Sequence, residues 1–216
     1  MKELMTVTAS KAELTEQRLL ACAKAEFMEK GFAGANLRFI AQRAGMTTGA
    51  IYRYFSNKDV LFKAVVGPAA NHIQIKLEEI ADRQLQLLST EEFITDLTSS
   101  ETVAHQFVDY IYENFDIFDL LLNHAAGSSM EDFFNSLIEL DTASTQAYID
   151  KMLQLGLLKN NPPGRVIALL VKQNYKQLLE IVTSKMTRVE ANEYIRLLVP
   201  FLYAGWRTIL EKTDTL

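Results

Sequence analysis

Tyr52, Arg53 and Lys58 carry most of the chemistry available in the stretch from Gly31 to Phe62. A phenol and a guanidinium stand beside the small residues Thr47, Thr48, Gly49 and Ala50. Small residues let a backbone approach a groove closely, while the longer side chains reach phosphates or base edges. Lys58 follows Asn57 at the head of a predicted helix, where free N–H groups and an ammonium make a natural phosphate anchor. With Arg38 one helix earlier, the pattern predicts a nucleic-acid contact set. Arg38, Thr47, Tyr52 and Lys58 would clamp phosphates, and Thr48, Ala50 and Arg53 would lie nearest base edges, with Gly49 giving room.

Two short helices must hold these groups. Asn36 is a natural N-cap, since its side-chain oxygen accepts from backbone N–H groups of the next turn. Leu37, Ile40, Ala41 and Ala44 recur at helical spacing and leave Arg38, Gln42 and Arg43 outside. Gly45 suits the left-handed residue that ends a helix. Met46 plugs the corner, and Thr47 caps a second helix, Thr48 to Tyr54, whose inner side is Ile51 with Phe55. The expectation is a helix-turn-helix over about residues 36–55. A corner of an ordinary helical protein is the plainer alternative, but it leaves unexplained a second helix too polar and too short to be core.

This stretch resembles the TetR-type regulators of bacteria. The resemblance rests on Phe27, Gly31 and Phe32 at the end of an alanine-rich first helix, Ile40 and Ala41, and the turn Ala44, Gly45, Met46, Thr47. It continues through Gly49, Ile51, Tyr52, Tyr54, Phe55, Lys58 and Leu61. Glu26 stands where such proteins usually have leucine, Ala35 where they often have a hydroxyl residue, and Tyr54 where histidine is commoner. The Ala35 difference removes one hydroxyl available to phosphate.

The resemblance implies an all-α protein with an N-terminal three-helix helix-turn-helix head, residues 1–62, on a larger helical ligand-binding and dimerisation body, residues 63–216. It further implies a homodimer on a palindromic operator in double-stranded DNA, released by a small molecule, with no cofactor and no catalysis. The alternative is a helical dimer that binds a small molecule or protein without DNA.

The charge distribution agrees with a DNA-reading end. The chain has 216 residues and a net charge of −5. Met1 to Lys63 carries ten Lys/Arg against six Asp/Glu, and the remainder twelve against twenty-one. A basic head on an acidic body is the footprint of a nucleic-acid-binding end. Cys22 is the single cysteine, which excludes an intrachain disulfide and fits a reducing compartment. The first ten residues lack the apolar run of a signal peptide, and no apolar stretch approaches a bilayer span, so a cytoplasmic protein is expected.

Helical periodicity continues to the C-terminus. Expected helices are Ala12 to Lys30, about Asn57 to Leu88, Glu101 to Phe115, Asp116 to Ala125, Met130 to Leu155, Arg165 to Ser184 and Val189 to Lys212. Gly67-Pro68 is expected to interrupt the fourth helix and Pro200 to bend the last one or sit at an irregular turn. Ser89 to Ser100 and Lys159 to Gly164 read as loops.

The three histidines are widely separated. His105 and Asp109 share a helix face at a spacing metals use, but no third ligand accompanies them, so an ordinary polar contact is the expectation and no metal site is assigned. Asp116, Asp119, Glu131 and Asp132 either flank a cationic ligand or form a solvated face. By the resemblance, a ligand cavity would draw on Phe107, Tyr110, Ile111, Phe118, Phe133, Phe134, Leu137 and Tyr148, with His72, His124, Asn174 and Tyr175 as polar anchors. Each could equally be core. The last two helices, through Ile167, Leu170, Val171, Leu178, Ile195, Leu198, Leu202 and Trp206, would form a dimer interface, with one wide monomeric core as the alternative.

Overall fold

The computed structural model describes residues 10–88, 97–158 and 161–211. In them the chain forms nine helices: α1 Lys11–Gly34, α2 Leu37–Arg43, α3 Thr48–Ile51, α4 Lys58–Leu87, α5 Leu97–Glu113, α6 Phe115–Asn123, α7 Phe133–Gln154, α8 Gly164–Thr183 and α9 Arg188–Glu211. No strand occurs among the described residues. Parts of both expected loops, residues 89–96 and 159–160, lie outside them. The chain divides into two compact units, Met1–Ala69 with Asp119–Glu131, and Ala70–Phe118 with Asp132–Leu216. The boundary expected after residue 62 therefore falls some residues later, and the first unit recruits a segment from the middle of the chain.

The first unit is built around three rings. Phe62 meets Phe27 edge-on at 4.9 Å and Phe32 at 5.3 Å between centroids. Leu19, Ala23, Ile40, Ile51 and Leu61 are fully enclosed in the same unit. Burying a phenylalanine side chain is worth about 1.5–3 kcal/mol, so this cluster dominates the stability of so small a body. Ser10 opens α1 with a reciprocal capping box to Glu13. Gly31 breaks the regular helix near its end with φ of 66°. The N–H of Phe32 consequently leaves the helical pattern and donates to the His124 carbonyl at 2.7 Å.

The turn between α2 and α3 follows from its residues. Gly45, at φ 68°, donates to the Gln42 carbonyl at 3.1 Å, and Met46 donates to the Ala41 carbonyl at 3.0 Å. This pair of bonds satisfies the carbonyls that α2 leaves unpaired. Asn36 and Thr47 both cap as expected, accepting from the N–H groups of Arg38 at 2.8 Å and Ala50 at 3.2 Å. α3 is shorter than its pattern suggests. Its last turn tightens through Tyr54 to Ile51 at 2.8 Å, and Arg53 and Tyr54 lie in that turn.

Elsewhere the expected helices are present with shifted ends. α4 is continuous through Gly67-Pro68, contrary to the expected interruption. Val66, Ala69, Ala70 and Ile73 flank the pair and are all buried. Burying these four side chains offsets the lost bond and ring clash of an interior proline, which together cost about 3 kcal/mol. α9 likewise runs through Pro200 without an irregular turn. α7 starts three residues later than expected. The Ser128 hydroxyl accepts from the Met130 N–H at 3.1 Å and Glu131 accepts from Gly127, local bonds that compete with helix.

In the second unit α5 packs on α9 and α7 on α8. Tyr112 donates to the Met186 carbonyl at 2.6 Å, and His105 and Asp109, which share a face of α5, reach Asn192 and Arg188 separately. Each of the two has a polar partner of its own, and no group of three or more metal-binding side chains occurs among the described residues. Leu88, Ile149, Met152, Leu158, Ile167 and Val171 form an apolar cluster in this unit.

A Cβ placed on Gly45 meets no atom within 4 Å, so a substitution there is penalised by backbone conformation alone. Gly45→Ala is expected to lower unfolding free energy by about 1 kcal/mol in chemical denaturation, with binding-surface side chains untouched.

Candidate nucleic-acid interface

The helix-turn-helix presents a polar face because its apolar positions are consumed inside. Ile51 and Phe55 are buried; Thr47, Gly49, Tyr52, Arg53 and Tyr54 are exposed, and Thr48 and Ala50 half-buried. Tyr52 leaves 53% of its surface open, far more than a tyrosine with a packing role would. Arg38 is exposed on α2. The face expected to meet nucleic acid is thus free.

Two cations of the unit are differently placed. Lys58 turns inward: its ammonium donates to the Ala33 and Ala35 carbonyls, each at 3.1 Å, and sits 4.6 Å from the centroid of the Phe32 ring. These groups hold the ammonium expected at a phosphate. Arg43 lies 3.7 Å from Glu26 and 3.8 Å from Glu29, joining α2 to α1. Glu26 is 5% exposed, so the departure from leucine at this position places a carboxylate in the packing and gives it an arginine partner. Neither partnership is visible in periodicity. Phe39, an apolar residue 57% exposed on α2, was also not singled out by the sequence pattern.

The segment Asp119–Glu131 is fastened within the same unit. Asp59, in the first turn of α4, accepts from the Ser129 N–H at 2.8 Å and from its hydroxyl at 2.9 and 2.8 Å. Burial works to raise the Asp59 carboxyl, but the Ser129 donors and Lys63 outweigh it and hold the carboxyl below its ordinary value. His124, expected as a ligand anchor, belongs here, with its imidazole 3.7 Å from Asp119.

The other residues expected to line one cavity fall into separate groups. His72 stacks on Tyr110 at 4.2 Å, and Phe107 and Tyr110 stand edge-on to Phe118 at 6.2 and 6.3 Å, beside the buried Ile111. Phe133 and Phe134 pair with each other at 5.2 Å, and Leu137 is buried. Tyr148 and Tyr175 pack on the Ile149–Ile167 cluster. The Tyr175 hydroxyl bonds to the carboxylate of Asp141; burial, then that charge, push the phenol up, and burial raises Asp141. Asn174, with its amide oriented to satisfy both neighbours, donates to the Leu170 carbonyl and accepts from Trp206 at 2.8 Å. A surface depression of about 440 Å³ beside Leu85, Ala147 and Asp150 holds none of the candidates.

Of the residues expected at a dimer interface, Ile167, Val171, Ile195 and Leu198 are buried within the chain itself, and Leu170, Leu178, Leu202 and Trp206 are half-buried. The large apolar residues that α8 and α9 leave exposed are Val166, Leu169, Val189, Leu197 and Phe201.

Residues 19–65 match the family model described as bacterial regulatory proteins, tetR family. Over this segment, the helix-turn-helix and its flanks, the chain is similar to the TetR family. Among relatives, the HTH-type transcriptional regulator SrpR of Pseudomonas putida is 35% identical over 68 residues, 32% of each chain. The HTH-type transcriptional regulator YfiR of Bacillus subtilis is 25% identical over 110 residues, 49% of this chain and 54% of that one. The alignments thus span about half the length of one of these curated relatives and a third of the other. Among solved structures, NalD of Pseudomonas aeruginosa, the secondary repressor of the MexAB-OprM multidrug efflux pump, is similar in fold, with a TM-score of 0.65 at 19% identity, covering 90% of this chain and 96% of NalD. Among the described residues, no helix is long and apolar enough to cross a membrane.

Because the Asp59 carboxyl lies below its unfolded value, its contribution to stability is present above about pH 4 and fades as pH falls through the folded-state value. Asp59→Asn should therefore be less stable than the parent chain at pH 7, with the gap in melting temperature closing towards pH 3.

Proposed function

We propose that this chain is a sequence-specific DNA-binding transcriptional regulator, a repressor that binds a palindromic operator as a homodimer and leaves it when a small molecule binds. The observation that carries the reading is the exposed face of α3 and its flanking turn, Thr47 to Tyr54, held outward by buried Ile51 and Phe55 within the segment that matches the TetR model. Thr48, Ala50 and Arg53 face the base edges of a major groove, and Arg38, Thr47 and Tyr52 meet phosphates, with Gly49 admitting the backbone. Two such helices on one operator stand about one helical turn apart, roughly 35 Å.

A palindrome demands a two-fold partner. The exposed Leu197 and Phe201 of α9 with Val166 and Leu169 of α8 supply an apolar face for it. NalD, a repressor of an efflux pump, supports the repressor reading. Release requires the small molecule to bind the DNA-free form better than the DNA-bound one, since equal affinity shifts nothing. The aromatic residues of the second unit, from Phe107 to Phe118 and around Tyr148 and Tyr175, are its proposed contacts. Action in the cytoplasm belongs to this reading, and the single cysteine, Cys22, fits a reducing compartment.

A gel-shift with the DNA upstream of the protein's own gene tests the reading; no retardation even at low salt would sink it in favour of a helical binding module. Arg53→Ala is expected to cost about 1–3 kcal/mol at the specific site, with far less change on unrelated duplex in the same titration. Leu197→Asp with Phe201→Asp should convert a dimer to a folded monomer in sedimentation. An unchanged dimer would place the interface elsewhere.

A further inference from the structure

We infer that Lys58 is a positioning residue of the DNA-binding head and not one of its phosphate contacts. The inference rests on the DNA-binding reading above and revises one member of its contact set. An ammonium has three N–H donors and no acceptor. Two of the three are held by the Ala33 and Ala35 carbonyls. These lie where α1 ends, so they are among the carbonyls a helix terminus leaves without partners, at the negative end of its dipole. Beneath the ammonium lies the face of Phe32, a seat for a cation. The lysine stem is half-buried, and the preceding residue is fixed because Asn57 accepts from the Val60 N–H at 2.9 Å. Swinging the ammonium away to a phosphate would give up both carbonyl bonds and the ring face.

The contact also has a consequence for geometry. Ala35 is followed at once by Asn36, the N-cap of α2. Holding the Ala35 carbonyl from the first turn of α4 therefore fixes where α2 begins, and α2 carries α3 through the Gly45 turn. Lys58 acts on DNA through this chain of covalent and hydrogen-bonded links. Arg38 and Arg53, both exposed, are left to provide the electrostatic contacts.

Salt dependence separates the two roles, because each lost phosphate contact flattens the log–log slope of affinity on salt by about 0.9. The full chain and its Lys58→Met and Lys58→Arg variants would be titrated with a random-sequence duplex between about 50 and about 200 mM salt, alongside thermal melting. Expected for Lys58→Met is a several-fold loss of affinity that is equal at every salt concentration, an unchanged slope and a lower melting temperature. Lys58→Arg should restore both affinity and melting temperature, since a guanidinium donates to two carbonyls and stacks on a ring. A flattened slope with an unchanged melting temperature would overturn the inference.

Two arms keep the outcome decidable. If Lys58→Met does not fold, the side-chain ammonium signal of the unaltered chain decides by NMR. A signal seen before DNA is added and unmoved by it supports the inference, and one that shifts or appears only with DNA overturns it. If the unaltered chain binds no duplex at all, the DNA-binding reading fails by itself. The clamp is then judged by amide exchange at Ala35 and Asn36 in Lys58→Arg against the parent chain and against any folded Lys58→Met. Exchange that is fast only without the cation supports it, and equal exchange in all overturns it.

Discussion

Phe27, Phe32 and Phe62 have to meet in the head unit, and its other features follow from that requirement. A body this small buries little surface, so a few large side chains must supply most of the driving force. Bringing Phe32 onto Phe62 needs the chain to turn sharply after α1, which Gly31 permits with a left-handed backbone. The turn exposes the last carbonyls of α1 beside the first turn of α4, and Lys58 settles there. It also frees the Phe32 N–H, which finds the His124 carbonyl. One packing constraint thus generates a backbone break, a cation site and the docking of a distant segment.

Charge in the head is sorted by the same geometry. Counting lysines and arginines suggests a uniformly basic surface, yet the structure divides them by partner. Arg43 leans on Glu26 and Glu29, Lys58 on backbone carbonyls, while Arg38 and Arg53 are exposed. A cation already paired within a protein contributes less to attracting a polyanion than a free one of equal formal charge. Net charge describes the approach of DNA, and only the partner of each side chain describes its grip.

The second unit shows a complementary limit. α8 and α9 are apolar over a wide arc, and the inner part of that arc, Ile167, Val171, Ile195 and Leu198, is closed within the chain itself. What stays exposed is a narrower outer strip with Leu197 and Phe201. The aromatic residues of α5 and α6 similarly pack with one another, and the pairs His72–Tyr110 and Tyr110–Phe118 account for faces that a ligand would otherwise use.

Local rules are written in neighbouring residues, and these the sequence alone determined. The caps Asn36 and Thr47, the left-handed Gly45, the buried Ile51 and Phe55 and the exposed face between them all depend on contacts within a few positions, and the order of helices follows from period and turn residues. Ends moved where side chains such as Ser128 offered backbone groups an alternative. Glu26 with Arg43, Lys58 with Ala33 and Ala35, Asp59 with Ser129 and the inward turn of Ile167 and Ile195 join residues distant along the chain. Helical period tells which side of a helix is apolar, but not what that side will face. That is decided only when the helices pack, because burial and ion pairing depend on distance in space and not on separation in sequence.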